Sequence, residues 1–173
     1  MSTHDDSRDT IWELIKDARV AMLTSHDDGR LRSRPMVACQ ADFDDGCLWF
    51  FTHADSPKAA QVEREHEVNV SYANAAEHSY VSMSGTANVL RDRAAIDAHW
   101  TALMKAWFPA GKDDPQLVML KVEVSQAEYW DVPSSRMVLA FDYLKARLTG
   151  HPPEMGAHHK VDLRQAPPAG PPR

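Results

Sequence analysis

Two cationic side chains and the hydroxyl groups near them are the strongest candidates for a binding site. Arg34 follows Arg32 in one β-type run, and the loop THADSPK, which ends in Lys58, follows the next run. Guanidinium, ammonium and hydroxyl groups commonly bind phosphate in proteins, because they donate hydrogen bonds to its oxygens. The aromatic run Trp49–Phe51 could form a wall for a flat ring. Residues 29–58 therefore predict a site for a phosphorylated compound that carries a planar ring.

The elements predicted around these residues bring them to one place. Residues 32–39 are predicted to form a strand that carries Arg34 near its start. Ser56 and Pro57 predict the start of a helix, since serine caps a helix and proline suits the first helical position. A helix N-terminus favours anions through its free N–H groups and its dipole. We therefore expect Lys58 to face the same region as Arg34.

Alternating apolar residues and turn signals predict a mainly β protein with flanking helices. Pro35 indicates that its strand lies at an edge or at a bulge, and Gly85 indicates a bend or bulge in another strand. The first three strands are predicted to form an antiparallel meander, because their turns are short. The six predicted strands are residues 20–24, 32–39, 47–52, 67–73, 79–90 and 116–130.

The remaining segments predict further helices and two tails. Thr10 and Glu13 match a capping box, so the first helix is predicted to begin at Thr10. Further helices are predicted over residues 92–106 and 136–148. Six of the eleven prolines lie after residue 150, which indicates disorder there. The predicted organisation is a flexible lead over 1–9, one domain over 10–149 and a proline-rich disordered tail over 150–173.

Composition and charge exclude several functions. A chain of 173 residues suits one domain, and a net charge of −6 argues against nonspecific nucleic-acid binding, which needs a dense basic surface. No apolar run is long enough to span a bilayer, and the acidic N-terminus is not a secretory signal, so a cytoplasmic protein is expected. Cys39 and Cys47 lack metal-ligand spacing and fit a reducing compartment. The histidines likewise predict no metal site, and no GxGxxG, Walker or GxSxG motif is present.

The order of five segments carries a resemblance to a known family. RSRPMV, LWFFT, SPKAAQV, SYVSMSGTANVL and VEVSQAEYW follow one another in the chain. This order resembles the FMN-binding split barrel of pyridoxamine-phosphate oxidase-like proteins, and within them the bacterial general stress proteins. The resemblance covers about Ile11 to Leu148. It implies a six-stranded antiparallel split β-barrel and a homodimer with the flavin at the subunit interface.

The resemblance also implies which residues of one chain hold the flavin. Arg34 matches the arginine that contacts the flavin phosphate and ribityl chain. Ser56 and Lys58 match the phosphate-binding pair in the loop before the helix. Met36 and Val37 match the strand backbone that runs along the isoalloxazine ring.

Four further residues are implied to contact the ring. Phe51 and Thr52 match an aromatic–threonine pair that closes on the flavin from the next strand. Tyr80 falls where the family places a polar contact across the subunit interface. Trp130 falls where it places a tryptophan near the ring. The implied cofactor is FMN, with FAD as an alternative, and the small-molecule substrate is left open.

The departures from the family keep the activity open. Cys39 stands where the oxidase proper has a lysine, and its C-terminal arginine–histidine segment is not recognisable here. The two hypotheses are an FMN-dependent oxidoreductase and a non-catalytic flavin-binding stress or sensor module. A third keeps the barrel and binds deazaflavin or haem. Arg34 and Lys58 taken singly also fit solvated surface residues, and Tyr80 fits an ordinary cross-strand pair.

Overall fold

The computed structural model describes residues 3–131 and 157–164. Within them the chain forms one antiparallel sheet with helices on its flanks. The helices are α1 (Thr3–Ile15), α2 (Pro57–Arg64) and α3 (Arg93–His99), followed by a 3-10 turn at Ala102–Ala106. The strands are β1 (Val20–Asp27), β2 (Arg30–Val37), β3 (Cys47–His53), β4 (Glu67–Asn74), β5 (Ser79–Leu90), β6 (Leu117–Asp131) and β7 (Ala157–Asp162).

The sheet runs in the order β2-β1-β4-β5-β6-β3, and β7 also pairs with β6. The prediction of a meander is therefore wrong in its third strand, because β3 pairs with β6 and not with β2. The two edge strands meet only at an isolated bridge between Ala38 and Phe50. The described sheet thus has seven strands instead of the predicted six, and it is not closed.

The core has two parts, one on each side of β3. The main cluster fills the inside of the sheet under α1 and contains Phe50. The second cluster lies under α3 and the 3-10 turn and contains Phe51. Neighbouring residues of a strand point to opposite faces, so these two phenylalanines serve different clusters. Burial on both faces explains why the sequence of β3 is almost continuously apolar.

Two local predictions about strands are confirmed. β2 is an edge strand, which accommodates Pro35 without loss of a ladder hydrogen bond on its open side. The register of β5 and β6 shifts between Ser84 and Gly85, so Gly85 marks a bulge. A Cβ atom at Gly85 would lie 2.2 Å from the carbonyl oxygen of Glu123, which explains why a glycine stands there.

Two further local predictions are wrong. α1 begins at Thr3 and not at Thr10. The helix predicted over 92–106 is broken at Trp100, whose backbone is extended. This break lets Ile96 and Met104 both reach the second cluster.

The predicted disorder of the tail is wrong for β7. This strand pairs with Gln126–Asp131 of β6, next to the part of β6 that pairs with β3. Leu163, just after β7, is buried in the main cluster, so apolar contacts hold the strand in place. The helix predicted over 136–148 lies outside the described residues.

Candidate functional site

The side chain of Arg34 is fixed by two neutral partners. Its Nη1 donates to Ser25 Oγ at 2.9 Å and its Nη2 donates to Gln61 Oε1 at 2.6 Å. The Ser25 hydroxyl also donates to Gln61 Oε1 at 3.2 Å, and both partners are buried. Burial and the nearby charge of Arg32 lower the pKa of Arg34. These two hydrogen bonds hold the guanidinium in place. Among the described residues no carboxylate is bonded to it, so no ion pair neutralises its charge.

Arg32 does not join this site, although the sequence presents the two arginines together. Its Nη1 lies 3.1 Å from Asp27 Oδ2 in an exposed ion pair. Arg32 is therefore paired with a carboxylate at the surface, whereas Arg34 turns toward β1 and α2.

Lys58 adds a second half-buried cation in the first turn of α2. Burial lowers its pKa, and the positive charge of Arg34 lowers it further. The two cations are brought together through Gln61, which accepts from Arg34 and lies three residues after Lys58 on α2, on the same side of the helix. No ion pair of Lys58 is found within the described part of the chain. Two like charges held together without a counter-charge favour an anion between them.

Hydroxyl groups complete this end of the site. Ser56 caps α2, and its Oγ accepts from the backbone N–H of Ala59 at 3.3 Å. The buried Thr52 shares a hydrogen bond of 3.0 Å with the Ser56 hydroxyl. The prediction that Ser56 and Pro57 start a helix is confirmed. The site therefore combines two cations, a hydroxyl pair and the N-terminus of a helix. We name this group, formed by Arg34, Lys58, Ser56 and Thr52, the anion anchor.

The opening between β2 and β3 lies beside the anion anchor. The strands touch at the Ala38–Phe50 bridge, and their antiparallel direction places the earlier residues of β2 across from the later residues of β3. Met36 is buried in the main cluster, while Val37 packs against the second cluster. Among the described residues β2 pairs only with β1, so its other backbone edge faces this opening. A planar ring could receive hydrogen bonds there from the backbone, as the resemblance implies for Met36 and Val37.

Phe51 is committed to packing within the chain. Its ring makes edge contacts with Trp100 and Phe108, at centroid distances of 5.6 and 6.0 Å. The side chain is buried against these rings, so little of its surface is left to contact a ligand. Phe51 therefore lies in the second cluster with Val37. Of the predicted Phe51–Thr52 pair, Thr52 is the one that belongs to the anion anchor, through its hydrogen bond with Ser56.

Tyr80 and Trp130 lie apart from the anion anchor. They face each other directly across β5 and β6, and both β1 and β4 separate them from β2. Tyr80 is 41% exposed, and the indole of Trp130 is stacked on the imidazole of His158 with centroids 5.1 Å apart. We name Tyr80, Trp130 and His158 the aromatic row. One chain therefore does not bring all the predicted flavin contacts together.

Sequence reasoning missed Ser25 and Gln61, which hold Arg34. Gln61 could have been found, because a glutamine stands among the apolar residues Ala59 and Val62 on the inner face of α2. It also missed His158, because the proline content after residue 150 outweighed the short alternating pattern of β7. A signal was present in that pattern, but its pairing partner on β6 is distant in the chain.

The two cysteines are protonated thiols and not nucleophiles. Burial raises the pKa of Cys39 to about 12 and that of Cys47 to about 11. Cys39 Sγ donates to the carbonyl oxygen of Trp49 at 3.0 Å, and both cysteines are free. In the described ranges no cluster of three or more metal-ligating side chains occurs, and no helix there is long and apolar enough to cross a membrane.

An antiparallel sheet that opens between its edge strands, with an anion site at the opening, defines the class of split-barrel proteins. The chain belongs to the family described as pyridoxamine 5'-phosphate oxidase like, whose model matches residues 6–154. It is 27% identical to general stress protein 26 of Bacillus subtilis over 122 residues, which cover 68% of this chain and 84% of that protein.

Solved structures agree with this assignment. A general stress protein 26 from Jannaschia sp. superposes with a TM-score of 0.71 at 28% identity, covering 91% of this chain and 98% of that one. The general stress FMN/FAD binding protein of Xanthomonas citri superposes with a TM-score of 0.65 at 29% identity, covering 75% of this chain and 92% of that one. The suspected membership in this superfamily, including its general stress branch, is confirmed.

Proposed function

We propose that this protein is a flavin-binding stress protein that holds FMN in the opening between β2 and β3. The observation that carries the proposal is the anion anchor: two half-buried cations, Arg34 and Lys58, lie together with no carboxylate bonded to either among the described residues. Such a pair is costly unless an anion completes it. The similar general stress FMN/FAD binding protein from Xanthomonas citri supports flavin as the source of that anion.

Different residues of the site would hold the phosphate end and the ring of FMN. The terminal phosphate of FMN would lie on Arg34, Lys58 and Ser56, where charge-assisted hydrogen bonds are available. The ring would lie along the open backbone edge at Met36 and Val37, with Thr52 closing from β3. FAD has the same ring but an internal diphosphate in place of the terminal phosphate, so a site that ends at two cations and a helix N-terminus favours FMN.

A second subunit supplies the rest of the site in this proposal. Tyr80 and Trp130 lie on the outer face of the sheet, together with the exposed apolar residues Val20 and Met22, which are 55% and 40% exposed. An exposed apolar face of this kind is typical of an interface between subunits. The proposed assembly is a homodimer in which the aromatic row of each chain covers the flavin anchored by the other.

The proposed activity is that of an FMN-dependent oxidoreductase in the cytoplasm. The flavin, when bound, supplies electron or hydride transfer, while the protein positions it and adjusts its potential. Arg34 and Lys58 fix the phosphate end by charge, and the backbone of β2 orients the ring. No substrate is assigned.

A non-catalytic flavin-binding stress or sensor module is the second candidate. One observation favours it: Cys39 stands where the oxidase has a lysine, and its half-buried thiol donates to a backbone carbonyl. A neutral thiol cannot replace an ammonium group in binding a phosphorylated substrate. Binding of FMN is expected under both candidates, so only turnover distinguishes them.

Spectroscopy on the purified full-length chain tests the proposal. We expect a yellow protein, or uptake of added FMN in preference to FAD, deazaflavin and haem, with two flavins in each dimer by absorbance and sedimentation. A colourless protein that takes up no flavin would sink the proposal, and a monomer with bound FMN would contradict the shared site. Reduction of bound FMN by NADH or NADPH at a useful rate would select the oxidoreductase, and its absence would select the module.

A further inference from the structure

The tail strand β7 brings a histidine against the tryptophan of the aromatic row. The planes of Trp130 and His158 are only 8° from parallel, with their centroids 5.1 Å apart. The two residues are directly opposite each other in the register of β6 and β7. A stack of this geometry restricts rotation of the indole, because each ring loses its best contact when the other turns.

The histidine is itself held in position. His158 Nε2 lies 3.4 Å from Glu128 Oε2, and Lys160 Nζ lies 3.0 Å from the other oxygen of the same carboxylate. These hydrogen bonds, the one from Lys160 being the larger cause, lower the pKa of Glu128, so the carboxylate stays charged near neutral pH. Glu128 therefore fixes the imidazole from one side while Trp130 packs on its face.

The anchoring of β7 does not depend on this stack. Val161 and Leu163 pack in the main cluster, and the Leu163 N–H donates to the carbonyl oxygen of Ser125 at 2.9 Å. His158 is consequently presented by a strand that is docked through its other face. This independence makes it feasible to remove the imidazole and leave the strand in place.

We propose that His158 is a positioning residue of the flavin site, which it serves by holding the indole of Trp130 in the orientation that covers the flavin ring. This inference rests on the proposed function, in which Trp130 of one chain contacts the flavin of the other. It assigns a role to the tail segment, because β7 then belongs to the ligand site as well as to the sheet. His158 acts through Trp130 and takes no part in chemistry.

Fluorescence of bound FMN is the main test, because an adjacent indole quenches flavin emission. We expect His158→Ala to raise the emission of bound FMN toward the value of Trp130→Ala and to weaken FMN binding by about two- to tenfold, the scale of one aromatic pair. His158→Phe should restore both, since it keeps a planar ring. His158→Gln should not restore them, since it keeps only a polar group near Glu128.

The chain offers a matched control one residue further along. His159 stacks on Tyr129 with centroids 4.9 Å apart, on the opposite face of the same two strands. His159→Ala should therefore leave flavin emission and affinity unchanged. The double variant Trp130→Ala/His158→Ala should show no effect on emission beyond that of Trp130→Ala alone, because the histidine works only through the indole.

Two outcomes would overturn the inference: unchanged flavin emission in His158→Ala, or an equal change in His159→Ala. Failure of the proposed function is seen separately, as an absence of FMN uptake by the unsubstituted protein. In that case near-ultraviolet circular dichroism still tests the stack. The difference between the spectra of the unsubstituted protein and of Trp130→Phe gives the signal of Trp130. His158→Ala should remove most of that difference signal, and retention of the full signal would refute the positioning role.

Discussion

The anion anchor and the aromatic row are built in opposite ways. The anchor is assembled from β2, β3 and α2, and the buried neutral side chains of Ser25 and Gln61 hold Arg34 in place. The row lies on the outer faces of β5, β6 and β7, where Tyr80 is 41% exposed. One region is assembled within a single chain, whereas the other presents rings to the outside. In the proposed dimer the two regions would be unlike halves of one site, each supplied by a different subunit.

Substitutions in the two regions should affect stability and FMN affinity differently, and loss of the β7 anchor should have the largest effect. Leu163→Ala should lower the free energy of unfolding by about 2–4 kcal/mol, because it removes a fully packed side chain that anchors β7. FMN affinity should fall far less, since the anion anchor lies elsewhere. Chemical denaturation measures the first quantity. Leu31→Ala is the matched control, because Leu31 is 72% exposed and its loss should cost at most about 0.5 kcal/mol.

Arg34→Ala should weaken FMN binding by about 2–3 kcal/mol, the upper part of the range for hydrogen bonds to charged groups. The guanidinium supplies both charge and orientation, and its removal also leaves Gln61 Oε1 without one of its donors. Fluorescence titration measures the affinity. Arg30→Ala changes another arginine of the same strand, an exposed one, and should have little effect. Equal losses in the two variants would show that the phosphate is not bound at Arg34.

Lys58→Ala should weaken FMN binding by about 1.5–2 kcal/mol, because a single ammonium contributes a point charge without the paired geometry of a guanidinium. Inorganic phosphate should compete with FMN in the unsubstituted protein and lose this ability in the variant. Undiminished competition by phosphate in Lys58→Ala would place the anion away from the first turn of α2.

Trp130→Ala should leave the phosphate anchored, so FMN affinity should fall by no more than about 1.5 kcal/mol, the scale of one aromatic contact. The emission of bound flavin should nevertheless change strongly. Mixing Arg34→Ala subunits with Trp130→Ala subunits should restore one normal site in each mixed dimer, because both substitutions then fall in the same site and leave the other site intact. A mixed dimer with no normal site would refute the sharing of residues between subunits.

The smallest expected effect is a dependence on alkaline pH that involves Lys58. Its pKa in the folded protein lies below the ordinary lysine value of 10.5, so the folded state releases the proton first as pH rises. Between the lowered pKa and 10.5 the unfolded chain binds more protons, and the unliganded protein should gain stability relative to Lys58→Met. FMN affinity should fall over the same interval. Thermal unfolding and titration at several pH values check both trends, and parallel curves for the two proteins would contradict the prediction.

The strands and the anchor were within reach of sequence reasoning. Turn residues and alternation located β1 to β6, with β5 correct at both ends, because these signals act over a few residues. Ser56 and Pro57 located the start of α2, and with it the position of Lys58 in the first turn. The pairing of β3 with β6 was beyond reach, since it joins residues far apart in the chain. β7 was missed for the same reason.

The types of groups and the elements that carry them could be predicted from the sequence. The cations, the helix cap, the edge strand around Pro35 and the bulge at Gly85 belong to this part, since each depends on local stereochemistry. Three contacts come from the tertiary fold: Gln61 and Ser25 hold Arg34, Arg32 turns to Asp27, and His158 stacks on Trp130. Those contacts depend on which strands pair and on which face each side chain lies. They are set by the burial of the whole core, and no short stretch of sequence contains that information.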